Sequence, residues 1–453
     1  MKIPVLCLLL AVTPIACGER EDPGDGRPSI VLISLDTTRP DHLSVNGYER
    51  ETTPNLARLA LDGQVFPNFV TASSWTLPTH ASLFTGLHPT THGARYSKRG
   101  DTALSDAVGR PGFFGFYRAN RLPDAAVTLA EVLQAEGYQT FGVGSGPWLK
   151  PIFGLHQGFE EYDGDTSSLE GRRAEEANAL ALRDLERAGR RPFFLFVNYF
   201  DPHSPYDPHG DLAQRFRGRG EDQAQLDQLA AYDAEIFQMD RALGELLDAL
   251  RASGVYDRCL IVVTSDHGEQ FGEHGLVEHG FALYEEAVRG VLIIKPPKGL
   301  VLALDTSLWA QSVDIMPTIL TVVGIESQPE MEGQPLGSIT HPIVSELFPN
   351  LGNMRWMGHR FDRALTSVHE DGYKLIVSTQ LSDRDAGLYK LSSDPGEATD
   401  LSAVEPERVQ SMVASLRRWR AGLLPPLIPQ AVDEIDAVTR RQMRALGYLE
   451  GEE

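Results

Sequence analysis

Aspartate, histidine and threonine side chains gather where the apolar stretches of this sequence stop. Asp36 closes Ser29–Leu35 (SIVLISL). Asp201 and His203 follow Phe193–Val197 (FFLFV). Asp266 and His267 follow Leu260–Val263 (LIVV), and His279-Gly280 lies just beyond. Carboxylate oxygens and imidazole nitrogens are common ligands of divalent cations, and rigid strand ends can bring such groups together from distant sequence positions. A lone Asp at a strand end, such as Asp36, is as readily a turn or helix cap. The adjacent pair Asp266-His267 after a buried strand is harder to explain as a turn alone. The nucleophile candidate is Thr76, in Ser74-Trp75-Thr76-Leu77-Pro78-Thr79-His80. Pro78 suits a first helical turn, so the pattern predicts a helix over 78–85 that stops at Gly86. Thr76 would then stand at a helix N-terminus, where the dipole and free N–H groups favour an anion. A Thr hydroxyl is a weak nucleophile unless a metal or base activates it, and taken alone Thr76 reads as an N-cap.

The elements that must position these residues are legible as well. Fully apolar runs at 29–35, 193–197, 260–263 and 291–294, with a weaker one at 138–143, indicate strands covered on both faces. Helices fall between them. Thr53-Pro54 opens one, Thr128-Leu129-Ala130-Glu131 forms a capping box for another that stops at Gly137, and 224–252 and 314–323 read as helical. The class is α/β with a large, mainly parallel sheet. The texture changes near Phe348–Asn353, beyond which short strands at 365–369, 373–378 and 388–391 and a helix at about 405–422 suggest a small α+β unit. The expected division is a signal segment over 1–16, a tether over 17–28, a catalytic domain over 29–347 and a small domain over 348–453.

The N-terminus reads as an export signal, with Lys2, an apolar run Val5–Val12 and small Ala16 before Cys17. Ile15-Ala16-Cys17 resembles a bacterial lipoprotein processing site, which would lipidate Cys17; an ordinary cleaved signal and a secreted or periplasmic protein is the alternative. Membrane attachment would then be only through that Cys17 lipid. Among the 3 cysteines, only Cys259 lies deep in the chain. The net charge of −22 and the absence of a Lys/Arg-rich block argue against nucleic acid as a partner.

The segments SIVLISLDTTRPDHLSVNGYERETTPNLARLA, SSWTLPTHASLFTGLHPTTHG, FVNYFDPHSPYDP and VVTSDHGEQFGEHGLVEHGFALYEEAVRG occur in that order. Together they resemble the sulfatase branch of the alkaline-phosphatase superfamily, and LYKLSSDPGEATDL resembles its C-terminal segment. The resemblance spans roughly residues 28–425. It implies an α/β sandwich with a small C-terminal sheet domain, one divalent ion (Ca²⁺ by family, with Mg²⁺, Mn²⁺ or Zn²⁺ compatible) and a small-molecule or glycan anionic ester as substrate. It implies Asp36, Asp266 and His267 as metal ligands. Thr76 would be both nucleophile and ligand, and His203 and His279 would face the anionic group or the leaving oxygen. His80 stands where sulfatases place an Arg that supports the nucleophile.

The departures from the family pattern carry chemistry. Sulfatases oxidise a Cys or Ser in C/S-x-P-x-R to formylglycine, and Thr cannot become that aldehyde. Thr37 replaces the second Asp of a metal pair, and His279 replaces a usual Lys. The usual Lys and His near Gly144-Ser145-Gly146 are missing. A Thr-sulfate ester cannot expel sulfate by collapse to a carbonyl, whereas a Thr-phosphate ester can be resolved by in-line attack of water. Three readings follow. The first is a metal-dependent hydrolase of sulfate or phosphate esters. The second is a phospho-group transferase acting on an envelope glycan or lipid. The third is a non-catalytic binding protein. Arg39, Asp41 and His42 are candidate pocket residues, Glu269, Glu273 and His274 candidate supports of the metal pair, and Lys150 and His156 sit on a loop able to enter the site.

Overall fold

Apolar runs with no polar face need cover on both sides, and the computed structural model supplies it. It describes residues 26–428 apart from 111, 167–170, 190, 221, 303, 359–360 and 383–385. The expected signal segment, Cys17 and the chain beyond 428 lie outside the described residues.

The large sheet consists of β1 (Ser29–Leu35), β2 (Gln64–Val65), β3 (Gln139–Val143), β4 (Glu161–Asp163), β5 (Phe193–Tyr199), β6 (Cys259–Ser265) and β7 (Leu292–Lys295), in the order β2-β7-β6-β1-β5-β3-β4. The strands from β6 to β4 run parallel, as expected. β7 runs antiparallel to β6, and β2 antiparallel to β7, which closes one edge. The helices include α1 (Pro54–Ala60), α2 (Thr76–Thr85), α3 (Leu129–Ala135), α4 (Ala174–Ala188), α5 (Gln223–Ala252), α6 (Glu285–Val288), α7 (Ile315–Val322) and α8 (Pro406–Gly422).

Side chains alternate between two cores. Ile30, Leu32, Phe194, Phe196, Leu260 and Val262 pack with α2, α3 and α7 on one face. Val31, Ile33, Leu195, Val197, Ile261 and Val263 pack with α1, α4 and α5 on the other. Each fully buried side chain of this kind contributes about 1.5–3 kcal/mol. That is why the strand ends are rigid enough to hold polar groups in fixed positions.

The small sheet holds β8 (Ile343–Leu347), β9 (Leu365–Glu370), β10 (Tyr373–Ser378) and β11 (Gly387–Lys390), all antiparallel, with α8 packed on it. It begins at Ile343, ahead of the division expected at 347/348. The reason is that β8 serves both units. It pairs with β9, while Ser345 Oγ donates to Thr71 O (2.6 Å) and Glu346 N donates to Ala72 O (2.9 Å) in the large unit. No helix among the described residues is long and apolar enough to cross a membrane.

Candidate active site

β1 and β6 are parallel neighbours with Leu35 opposite Ser265. Asp36 and Asp266, the next residue of each strand, therefore emerge side by side at the sheet edge where α/β proteins bind ligands. Ligand atoms of Asp36, Asp266 and His267 lie within 4.8 Å of one another. His267 Nε2 is 3.4 Å from Asp266 Oδ2 and 3.7 Å from Asp36 Oδ1. All three residues are fully buried. His267 Nδ1 donates to Gly268 O (2.9 Å), which leaves its Nε2 lone pair facing the carboxylates. Asp266 Oδ1 accepts from His267 N (2.9 Å) and Thr37 N (3.3 Å). Both oxygens of Asp36, and Asp266 Oδ2, have no hydrogen-bond partner.

Buried carboxylates without partners are costly. Burial, then the charges of Asp266 and Glu269, hold the Asp36 carboxyl well above its ordinary range. Burial pushes Asp266 up to about 7. A divalent cation offsets both charges and uses the unpartnered oxygens, so the donor set fits such an ion. Thr37, at the position of the usual second Asp, sits at φ 49° and gives its hydroxyl to Pro202 O (2.6 Å).

α2 begins at Thr76, two residues before the expected start at 78, after extended Trp75. Pro78 is its third residue, still within the turn whose N–H groups have no helical acceptor. Gly86 ends the helix at φ 67°. Thr76 Oγ1 points into the cluster, 3.3 Å from His267 Nε2. His80 lies one turn on. Its Nδ1 donates to Thr76 O (2.9 Å), so its Nε2 accepts from Ser34 Oγ (2.9 Å). Burial lowers His80 to about 4, which keeps the ring neutral although Asp266 Oδ2 is 3.6 Å away. His80 therefore holds the first turn of α2 in place and supplies none of the positive charge of an Arg.

The rings of His203 and His279 meet edge-on beside the cluster, with centroids 5.1 Å apart, and His279 lies 4.4 Å from the His267 ring. His203 stacks on Phe200 (4.3 Å) and donates Nδ1–H to Ser204 O (2.6 Å), leaving Nε2 open. Burial lowers its pKa to about 4. Burial also disfavours charge on His279, but the buried Glu269 carboxylate, 3.1 Å from Nδ1, outweighs it and raises the pKa. Tyr206 OH donates to the other oxygen of Glu269 (3.0 Å). Trp75, stacked on Tyr96 at 3.5 Å with the edge of Trp148 against it, packs the wall next to Thr76.

Several expected contacts are not made. The Arg39 guanidinium is already taken up within the chain: it binds Asp41 (2.8 Å), Glu273 (2.7 Å) and Glu269 O (3.0 Å). His42 bonds Asp233 (2.7 Å). Lys150 pairs with Asp165 (3.6 Å), and His156 packs beside Tyr162. Asn198 was not foreseen. The β1–β5 register sets it opposite Ser34, where it orders the Gly144–Gly146 turn by accepting from Ser145 N (3.2 Å). A Cβ on Gly146 would lie 3.6 Å from Asp36 Oδ2, so this turn closes over the cluster. The one signal for Asn198 was a polar residue ending FFLFV.

The sequence model of the sulfatase family matches residues 28–325, and that of the N-sulphoglucosamine sulphohydrolase C-terminal region matches 272–420. The chain belongs to the sulfatase family. Its reaction class is that of sulfuric and phosphoric ester hydrolases, a family that generally uses a divalent metal ion. An arylsulfatase of Clostridium perfringens is 25% identical over 86% of this chain and 93% of its own length. The multifunctional alkaline phosphatase superfamily protein PehA of Trinickia caryophylli is 26% identical over 68% of this chain and 76% of its own. Among solved structures, the phosphonate monoester hydrolase of Agrobacterium radiobacter superposes with TM-score 0.68 at 20% identity, covering 87% of this chain and 96% of that one. A 2-O GAG sulfatase gives TM-score 0.68 at 17% identity, covering 87% and 92%. These two share the fold of the sulfatase-family chain.

Proposed function

We propose that this sulfatase-family chain is a metal-dependent ester hydrolase in which Thr76 takes the place of formylglycine, with phosphate esters the better-matched substrates. The observation that carries the reading is the Thr76 hydroxyl directed at His267 within a set of buried carboxylate oxygens that have no other partner. Asp36, Asp266, His267 and Thr76 would hold the ion. When bound, the ion lowers the pKa of a coordinated hydroxyl and neutralises charge on the transferring group.

The remaining steps belong to the chain's own groups. Thr76, its hydroxyl proton given up to solvent, attacks phosphorus as the alkoxide, forming the Oγ–P bond as the bond to the leaving alcohol breaks. His279, whose pKa Glu269 raises, gives its proton to that alcohol. The neutral His279 then accepts a proton from water, which attacks phosphorus and breaks the Oγ–P bond. His203, edge-on to His279, offers its Nε2 lone pair to the attacking water. His80 fixes the Thr76 carbonyl, and with it the direction of Oγ.

The names of the relatives support both ester classes: arylsulfatase and GAG sulfatase on one side, phosphonate monoester hydrolase on the other. A glycan or small-molecule anionic ester is the substrate class they suggest. We infer in addition that the chain is exported, with Cys17 as lipid anchor, from the pattern of residues 1–17.

The test is a side-by-side assay of the metal-loaded protein and Thr76→Ala on sulfate monoesters, phosphate monoesters and phosphodiesters. Phosphate-ester turnover that vanishes in the variant is expected. Normal turnover by Thr76→Ala ends the covalent scheme. Failure on all three classes moves the reading to a transferase or a binding protein, and transfer of a phospho-group to an added glycan or lipid acceptor selects the transferase.

A further inference from the structure

We propose that His274, Glu286 and Glu397 form a second divalent-cation site, suited to Zn²⁺, that ties the loop carrying His279 to the C-terminal domain. Their ligand atoms lie within 4.8 Å of one another. They come from three separate segments: His274 from the turn that follows Gly272, Glu286 from α6, and Glu397 from the stretch after β11. None of them belongs to the Asp36–Asp266–His267 set.

The decisive feature is Glu286. Its side chain is 10% exposed, its Oε2 is buried without a hydrogen-bond partner, and that oxygen faces His274 Nε2 at 3.7 Å. The His274 ring is held flat against Tyr284, with centroids 3.6 Å apart and planes within 8°, so its direction is set. The Glu397 side chain is fully buried, and its Oε2 accepts from Glu285 N (2.6 Å), which fixes that carboxylate too.

Lys374 Nζ, 3.0 Å from Glu397 Oε1, competes for this group. It also holds Glu285 Oε1 at 2.9 Å, so a cation could take a share of Glu397 without leaving the ammonium unpaired. Two carboxylates and a neutral imidazole balance a doubly charged ion. One nitrogen and two oxygens suit Zn²⁺ better than Ca²⁺, which takes six to eight oxygens. Ligands at about 2.0–2.2 Å from a tetrahedral ion lie roughly 3.3–3.5 Å apart, so the 3.7 Å His274–Glu286 gap closes with a shift of a few tenths of an ångström. A cavity of about 600 Å³ lined by Glu286, Gly396, Arg39 and Trp309 gives an entry path. Because His279 lies on the same loop as His274, the clasp would set the position of the acid that protonates the leaving group.

The test is zinc counting by mass spectrometry on the full chain. The protein is stripped with a chelator, reloaded with Zn²⁺ alone and desalted, with circular dichroism as the check of fold. The wild type is expected to hold about two equivalents, and His274→Ala and the near-isosteric Glu286→Gln about one each. Asp36→Asn combined with Asp266→Asn should also hold about one, and adding Glu286→Gln to that pair should leave none. The proposal is overturned if folded Glu286→Gln keeps the wild-type count, or if the Asp36/Asp266 variant binds no zinc. A single wild-type equivalent that survives in the Asp36/Asp266 variant but not in Glu286→Gln would uphold this site while removing the ion from the proposed catalytic one.

Discussion

Replacing Asp266 by Asn separates what the buried carboxylate pair costs from what it does. Burial pushes Asp266 from 3.8 to about 7, a rise of about 3 units. At about 1.36 kcal/mol per unit this is a native-state penalty of roughly 4 kcal/mol for the charged form. The folded pKa lies above the unfolded one. The penalty is therefore absent below pH 3.8, grows as pH rises, and is complete above about 7. Asn keeps the Oδ1 that accepts from Thr37 N and His267 N, and it carries no charge. Chelator-stripped Asp266→Asn should thus be more stable than stripped wild type by roughly 4 kcal/mol at pH 8, with the gap closing towards pH 4. With about 2.1 cal/mol/K of unfolding entropy per residue over about 400 residues, that is a rise of about 5 °C in Tm. Saturating cation cancels that lead. An ion at about 1,000 times its Kd adds roughly 4 kcal/mol to the wild type and little to a variant lacking one ligand. The assay is thermal melting of both proteins at pH 5 and pH 8, with chelator and with Ca²⁺, Mg²⁺ or Mn²⁺ in turn. The reasoning is refuted if stripped Asp266→Asn melts below stripped wild type at pH 8. It is refuted equally if no cation raises the wild type more than the variant.

Thr76→Ala should lower kcat by about 10⁴-fold or more while cation binding weakens only in part, and Thr76→Ser should restore turnover; steady-state kinetics with a metal titration measures both. Glu269→Gln removes the carboxylate that raises the pKa of His279, so hydrolysis of esters with poor leaving alcohols should slow by about 10²-fold, and that of activated aryl esters much less. Equal slowing of both would remove His279 as the acid. Glu235, pushed up to about 8 by burial, accepts from Asp207 N while its Oε2 has no partner. Its folded pKa is raised, so the wild type loses stability from pH 4.5 up through about 8. Glu235→Gln should therefore melt higher than wild type at pH 9, by roughly 3–5 kcal/mol in stability, and no higher at pH 4. A pH-independent difference would refute this.

Strand position was readable wherever both faces are buried, because such a strand is apolar along most of its length, with polar side chains only at or next to its ends. Ser29–Leu35, Phe193–Tyr199 and Cys259–Ser265 are examples. Direction was not readable: Leu292–Lys295 has the same composition and runs the other way. β8 escaped notice because Ser345 and Glu346 look like surface residues. They are buried, with Ser345 bonded to Thr71 and Glu346 to Thr90 and the Ala72 carbonyl. Arg39 looked available for an anion, but residue type says nothing about prior partners, and Asp41 and Glu273 already hold it. Asn198 acts through a cross-strand register that no local pattern records.

By itself the order of residue types determined the family, the layered α/β class and the identity of the polar groups that end the strands. The family follows from several motifs occurring in the right order, and the class and strand-end groups from local periodicity and from the polar residues that stop buried apolar runs. The tertiary structure alone decided that Asp36 and Asp266 stand side by side, that Thr76 Oγ1 faces His267 and that Glu269 backs His279. Those relations depend on which strands pair, in what register and direction. Strand pairing is settled by the packing of the two sheet faces together, across separations of up to 230 residues between positions 36 and 266.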